Sequence, residues 1–357
     1  MSDTRIVRIN VRDGYDVMIG SGLIKDAGSL AKNVIKPCRI AVITDSIVEQ
    51  LYLESVKMSF KNAGFDVVSF SFPAGEESKN MATLSDILEF LAENDITRSD
   101  CLVALGGGVV GDITGFAAGV FLRGIKFIQI PTTLLAAVDS SVGGKTAVDL
   151  KSGKNLAGVF LQPKLVLCDT DTMSTLPEDI LSCGVAEAIK TGVLFDIELF
   201  EIFERDGVNT ENLPLIIERC VMHKGRVVEA DEFDRGERQL LNLGHTVGHA
   251  IEKCSSYSIL HGHAVAMGMA MIARASERLS LCDEPMAKRI EAALIKNGLQ
   301  INAPFSSEEL SSAALSDKKR KGIDISFVIP KKIGECYLKK VNISEIPRVF
   351  ASGMEEK

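Results

Sequence analysis

No two of the eight cysteines form a C-x-x-C pair. Cys38, Cys101, Cys168, Cys183, Cys220, Cys254, Cys282 and Cys336 are scattered through the 357 residues. That spacing excludes a zinc ribbon, argues against a disulfide scaffold, and fits reduced thiols in a cytoplasmic protein. Long apolar runs are missing as well. The best candidate, Ala264 to Ala273, is about half the length of a membrane-spanning helix, so no membrane partner is expected. Asp3, Arg5 and Arg8 interrupt the first apolar residues, leaving no secretory h-region. Excess positive charge is absent too: the net charge is −8, against a nucleic-acid binder that works by neutralising phosphates. There are no internal repeats and no low-complexity linker. What is present is a soluble composition, 46% hydrophobic and 25% charged, with length enough for two domain cores. An anionic small molecule would have to be met by local clusters of Lys and Arg.

The first half alternates short β-branched runs with helical spacing. Arg39 to Asp45, Phe65 to Phe70, Cys101 to Leu105 and Lys126 to Ile130 read as buried strands, and Met81 to Asn94 between them reads as a helix. This alternation predicts a mostly parallel, Rossmann-like α/β domain over residues 1–174, whose ligands sit at the carboxyl ends of the strands. From about Pro177 helical patterns take over: Pro177 to Phe195, Leu213 to Ala230, Gln239 to Cys254, Ala264 to Leu279 and Pro285 to Asn297. Residues 175–357 are therefore expected to form an all-α domain, with Ile323 to Ile329 the one late strand signal.

The strand ending at Leu105 runs into Gly106-Gly107-Gly108-Val109-Val110-Gly111-Asp112. Glycines between a strand and a helix let backbone N–H groups approach a pyrophosphate at the helix N-terminus. No acidic residue stands about 20 positions downstream to hold a ribose; the acidic alternatives are Asp45 and Glu76. A dinucleotide is thus expected in a non-standard frame. Asp139 to Thr146 ends in G-K-T, but a Walker loop needs Gly where Asp139 stands, which excludes that reading. The stretch from Pro131 through Asp149 to Gly153-Lys154-Asn155 still gathers hydroxyls, lysines and carboxylates in a short span.

All five histidines, His223, His245, His249, His261 and His263, fall in one part of the second half. Arg238, Asn242, His245 and His249 are spaced four, three and four apart, which predicts one polar stripe on a helix. A solvated face would carry Lys and Glu there instead. Two His at i, i+4 can bind one metal, and Thr246 stands where a metalloprotease has its catalytic Glu, which argues against a metalloprotease. Gly244 and Gly248 cost roughly 1 kcal/mol each within a helix, which close packing on another face would offset. Glu187 and Lys190, i and i+3 among Gly, Val, Ala and Ile, read as a buried pair. One carboxylate and two imidazoles with an open position make a catalytic zinc set.

Taken together, Pro73 to Lys79, Gly106 to Asp112, Arg123-Gly124, Pro131 to Asp149, Gly153 to Asn155, Glu187 to Lys190, Leu241 to Glu252, His261-Gly262 and Asp317-Lys318-Lys319 resemble, in order and over nearly the whole chain, the 3-dehydroquinate synthase family. The resemblance implies an N-terminal NAD-binding domain, a C-terminal metal-binding domain and a substrate site between them. It implies Glu187, His245 and His261 as ligands of one divalent ion, Zn or Co, replacing the His245–His249 pairing that spacing alone favours. It implies NAD contacts at Asp45, Glu76, Lys79, Gly107, Gly108, Val109, Gly111, Asp112, Thr132, Thr133, Lys145, Lys154, Thr172 and Thr175. Implied substrate contacts are Asp139, Lys145, Asn155, Lys190, Lys224, Arg238, Asn242 and His249. Phosphate contacts are implied at Arg123 and at Lys318 or Lys319, with Arg123 reaching a neighbouring subunit of a homodimer. One departure is His263, where the family usually has Glu.

The implied reaction is that of a phosphorus-oxygen lyase acting on 3-deoxy-D-arabino-heptulosonate 7-phosphate. Oxidation by NAD, phosphate elimination, re-reduction, ring opening and aldol closure give 3-dehydroquinate. The alternatives are another sugar phosphate cyclase or a metal- and NAD-dependent alcohol dehydrogenase. A cyclase whose substrate lacks a carboxylate has no reason to keep Arg238.

Overall fold

In a computed structural model describing residues 4–318 and 323–355, the four β-branched runs of the first half form adjacent strands on one side of a single sheet. The chain divides into two units, Met1–Leu176 with Lys224–Phe233, and Pro177–His223 with Asp234–Lys357. A single cut near residue 174 has no means of expressing the return of 224–233 to the first unit.

The strands of the first unit are β1 (Arg5–Ile9), β2 (Tyr15–Gly20), β3 (Arg39–Asp45), β4 (Asp66–Phe72), β5 (Cys101–Gly106), β6 (Lys126–Pro131), β7 (Lys145–Leu150), β8 (Gly153–Phe160) and β9 (Leu165–Asp169). Its helices are α1 (Leu23–Ala31), the single turn α2 (Ser46–Val48), α3 (Glu54–Asn62), α4 (Met81–Glu93) and α5 (Gly108–Val120). Seven strands pair in the order β1-β2-β9-β6-β5-β3-β4. Only β1 and β2 pair antiparallel; every other neighbour is parallel. Successive residues face opposite sides. Ile40, Val42 and Val103 pack with Ala27, Val56 and Phe60, whereas Ala41, Ile43 and Leu102 pack with Leu84, Ile87 and Ile113. Burial on both faces is why these strands read as unbroken apolar runs. The chain runs from β3 outward to β4, then back across to β5 and on to β6. This reversal puts the carboxyl ends of β3 and β5 at a topological switch point, where open α/β sheets bind ligands.

The second unit is helical: α6 (Glu178–Phe195), α7 (Ile197–Arg205), α9 (His245–Cys254), α10 (His261–Arg278), α11 (Ala287–Lys296), α12 (Ser307–Lys318) and α13 (Ile346–Gly353). Helix α8 (Leu213–Ala230) begins in this unit and passes to the first at Lys224. The region is not purely α. β10 (Asp324–Lys332) and β11 (Glu335–Asn342) form an antiparallel hairpin. The first strand is the one signalled by Ile323 to Ile329; the second, with Lys339 and Lys340 among its apolar residues, gives a weaker pattern.

The predicted stripe from Arg238 to His249 is also corrected. Residues Glu237–Asn242 form a 3-10 turn, Leu243 is extended, and Gly244 takes a left-handed φ of 78° before α9 begins at His245. Arg238 and Asn242 therefore do not share a helix face with the histidines. The break is enforced by packing: a Cβ on Gly244 would lie 2.7 Å from Val265 O and 2.8 Å from Met269 N. Among the described residues, no helix is long and apolar enough to cross a membrane.

Candidate active site and metal centre

Three helices of the second unit bring Glu187 (α6), His245 (α9) and His261 (α10) together, with one ligand atom of each within 4.8 Å of the others. Small residues make this approach possible. A Cβ on Gly262 would overlap the Cys183 backbone of α6, and one on Gly248 would lie 3.2 Å from the Ala264 backbone. The backbones of α6, α9 and α10 therefore nearly touch, one residue away from His261 and three from His245.

Glu187 is 1% exposed. The ammonium of Lys190, one helical turn on, holds Oε2. Oε1 is buried and, among the described residues, has no hydrogen-bond partner. It lies 3.6 Å from His261 Nε2 and 3.9 Å from His245 Nε2. These separations are too long for hydrogen bonds. They are near the roughly 3.3–3.6 Å between ligand atoms of a tetrahedral ion with bonds of about 2.0–2.2 Å. An orphaned carboxylate oxygen facing two imidazole nitrogens fits a borderline-soft divalent cation.

The remaining nitrogens of the two rings are occupied. His245 Nδ1 lies 3.1 Å from Leu243 O, a carbonyl exposed by the break at Gly244. The carbonyl can only accept, so Nδ1 carries the proton and Nε2 offers its lone pair toward Glu187. His261 Nδ1 lies 3.4 Å from Glu252 Oε2. Burial, with Lys190 nearby, lowers the His245 pKa to about 3, keeping it neutral. Burial would also lower His261, but Glu187 and Glu252 on either side outweigh it and raise it to about 9. Burial pushes Glu187 up; Lys190 and the two imidazoles prevail and hold it well below the ordinary carboxylate range.

The other residues singled out in this unit fall as follows. Arg238, in the 3-10 turn, is buried at 2% exposure. Asn242 and His249 are exposed. The His249 ring centroid is 5.5 Å from that of His245 and 6.1 Å from that of His261. His263 Nε2 lies 3.0 Å from Ser182 Oγ, which also donates to Asp179 O. Only the backbone of Lys318 is described, as the last residue of α12, and Lys319 lies outside the described residues. Glu252 was not singled out from the sequence. Its signal was its place on α9, three residues after His249 and seven after His245, on the same face.

In the first unit the glycine turn joins β5 to α5. A Cβ on Gly107 would meet Thr133 Cγ2 at 3.0 Å, and one on Gly111 would meet Gln129 Oε1 at 2.8 Å. Val109 occupies the first turn of α5. Thr132 follows β6 directly, with Oγ1 buried and without a hydrogen-bond partner among the described residues. Asp45, at the end of β3, accepts from Ile47 N at 2.9 Å and Val48 N at 3.0 Å. Lys79, 5% exposed, places its ammonium 2.5 Å from Asp112 Oδ2 and 2.6 Å from Asn155 Oδ1. Burial disfavours that charge, but Asp112 and Glu76 more than compensate and raise its pKa. Lys154 Nζ is 3.6 Å from Glu76 Oε1. Lys224 Nζ donates to Asp139 Oδ1 at 2.6 Å. Thr175 Oγ1 donates to Thr172 O at 2.9 Å and contacts Tyr52 Oη at 2.6 Å. Lys145 is exposed at the start of β7. Arg123 is exposed after α5 and has a positive φ of 69°.

Residues 69–183 match the family described as 3-dehydroquinate synthase N-terminal, and residues 184–320 match 3-dehydroquinate synthase C-terminal. A 3-dehydroquinate synthase of Streptococcus thermophilus is 42% identical over 347 residues, covering 95% of this chain and 98% of that protein. That of Pelobacter propionicus is 43% identical over 358 residues, covering 98% and 99%. Among solved structures, 2-deoxy-scyllo-inosose synthase complexed with carbaglucose-6-phosphate, NAD+ and Co2+ superimposes with a TM-score of 0.88 at 27% identity, covering 99% of this chain and all of that one. Full-length identity to these synthases, with both of the family's matched regions in order, means that the chain belongs to the 3-dehydroquinate synthase family.

Proposed function

We propose that the chain is a phosphorus-oxygen lyase that converts 3-deoxy-D-arabino-heptulosonate 7-phosphate to 3-dehydroquinate and phosphate, using NAD and one divalent ion, Zn2+ or Co2+. The observation that carries this reading is Glu187 Oε1, buried and without a hydrogen-bond partner among the described residues, facing His245 Nε2 and His261 Nε2 in a chain of this family. The likeness to an inosose synthase holding NAD+ and Co2+ supports both cofactors. Glu187, His245 and His261 would hold the cation, and the Gly107–Gly108 turn with Asp45 at the switch point would hold the dinucleotide. When bound, NAD supplies an acceptor that takes and returns one hydride, and the cation a Lewis acid for the oxygen being oxidised.

The chain's own groups bind and orient. Lys190 fixes the Glu187 carboxylate by its other oxygen, leaving Oε1 aimed at the two rings. Lys79 occupies Asn155 Oδ1, so the Asn155 amide meets substrate as a donor. Lys224 pins Asp139 in the same way. The substrate carries a carboxylate and a phosphate, about three negative charges near pH 7. Arg238 is assigned the planar carboxylate, which a guanidinium grips with two parallel hydrogen bonds. Arg123 and Lys318 or Lys319 are assigned the phosphate. The proton lost on elimination is assigned to the departing phosphate itself, so the residues position rather than transfer it. A homodimer with Arg123 reaching the neighbouring subunit, and a cytoplasmic location, complete the reading.

The test is phosphate release from the heptulosonate phosphate with NAD at catalytic concentration, beside glucose 6-phosphate and sedoheptulose 7-phosphate. Release from the first alone, without accumulating NADH, is expected. Release only from one of the other sugars, or NADH formed in proportion to substrate, would replace this reading with another cyclase or a dehydrogenase.

A further inference from the structure

Glu252 is 3% exposed on α9, and its Oε2 faces His261 Nδ1 at 3.4 Å. A carboxylate buried so deeply needs a partner that offers a proton or a positive charge. His261 has two ring nitrogens with different neighbours: Nε2 faces Glu187 Oε1 at 3.6 Å and Nδ1 faces Glu252. His245 shows the same division, with Nδ1 on Leu243 O and Nε2 toward Glu187. The two imidazoles are thus presented alike, one oriented by a backbone carbonyl and the other by a carboxylate. His263, two residues from His261, contacts Ser182 on α6 instead.

We propose that Glu252 is the positioning residue of His261: by accepting the Nδ1 proton it fixes the tautomer whose Nε2 lone pair meets the cation, and it strengthens that ligand. This rests on the metal site proposed above. A carboxylate in this position raises the basicity of the imidazole and locks the ring, and removing such a partner typically costs about 10–100-fold in metal affinity. The role also accounts for a buried acid that no other assigned function uses. The second geometric possibility, an ion held by His249, Glu252 and His261, would place the cation on Nδ1 and leave Glu252 a ligand.

The experiment is titration of the full-length chain, stripped with a chelator, with Co2+, read by its visible d–d absorption and by competition with a chromophoric chelator. The variants are Glu252→Ala, Glu252→Gln and His261→Ala. Parent protein is expected to bind one Co2+ with a tetrahedral spectrum. Glu252→Ala should keep that spectrum but bind about 10–100-fold more weakly and lose the ion faster to chelator. Glu252→Gln, whose amide oxygen still accepts from Nδ1, should fall between and still unfold cooperatively, which separates positioning from misfolding. Affinity of both variants within twofold of parent would overturn the proposal, as would binding of two Co2+ per parent chain with one lost on substitution. If parent and His261→Ala bind Co2+ equally, the metal site itself is misplaced, and the role of Glu252 falls with it.

Discussion

Lys190→Met tests the electrostatic construction of the metal site most directly. Lys190 is 2% and Glu187 1% exposed, and the ammonium is the first support of the carboxylate's charge. Breaking a buried pair by removing one partner typically costs about 3–5 kcal/mol, because the remaining charge is left uncompensated. Here His261, whose pKa is raised to about 9, still faces Glu187 Oε1 at 3.6 Å. It remains an imidazolium at neutral pH when metal is absent, so the lower end, about 3 kcal/mol, is expected. For a unit of this size that lowers the Tm by roughly 6–12 °C. The assay is thermal unfolding at pH 7 in excess chelator and again with Zn2+. The deficit should shrink with Zn2+, since the cation restores positive charge beside Glu187. Glu187→Gln/Lys190→Met, which removes both charges, should be more stable in chelator than Lys190→Met alone. A Tm within 2 °C of parent in chelator, or a double variant less stable than the single, would refute this account of the pair.

Arg238→Ala should reduce kcat/KM for the heptulosonate phosphate by about 100-fold or more, as expected when a charged hydrogen-bonding partner is removed, and leave NAD affinity unchanged by calorimetry. Equal loss of NAD affinity would assign Arg238 elsewhere. Gly244→Ala combines a left-handed backbone with a Cβ 2.7 Å from Val265 O, so about 3 kcal/mol of destabilisation in chemical unfolding is expected. It should also weaken Co2+ binding, because Leu243 O and His245 move together. Asp196 caps α7 through Leu199 N at 3.1 Å and holds His223 Nε2 at 2.9 Å. Burial raises its pKa, but that cap, His223 and Arg219 prevail and lower it. A depressed carboxylate stabilises the fold above its unfolded pKa of about 3.9 and loses that contribution as pH falls through the folded value. Asp196→Ala should therefore cost about 2 kcal/mol at pH 7, with the gap from parent closing below about pH 4 in urea unfolding.

β3, β5 and β6 are legible in the sequence because each is buried on both faces. Arg39–Asp45 is the same span in sequence pattern and structure, and Cys101 and Lys126 begin strands as expected. β7 and β8 are not legible as strands because their ribbon carries Lys145, Asp149, Gly153, Lys154 and Gly158, which read as a polar loop. β9, Leu-Val-Leu-Cys-Asp, is fully buried and, like β1 and β2, is not among the strands read from the sequence. The helical pattern around His245 misled for a different reason. Arg238, Asn242, His245 and His249 have helical spacing, but Gly244 cannot carry a helix past the backbone of α10.

Sequence alone determined which segments bury two faces and which bury one, since side-chain periodicity is a local property that each strand and helix carries with it. It also supplied the chemical types of a cation site, five histidines in one region and an acid beside a lysine. Spacing could not decide which of them meet, because Glu187, His245 and His261 lie 58 and 16 positions apart and on three helices; the family resemblance named that set, and the tertiary structure brings the three together. Their convergence depends on glycines that let those helices approach to backbone contact. The same packing left His249 exposed and buried Glu252 against His261, a choice that helical spacing, which treats both as residues of one face, could not make.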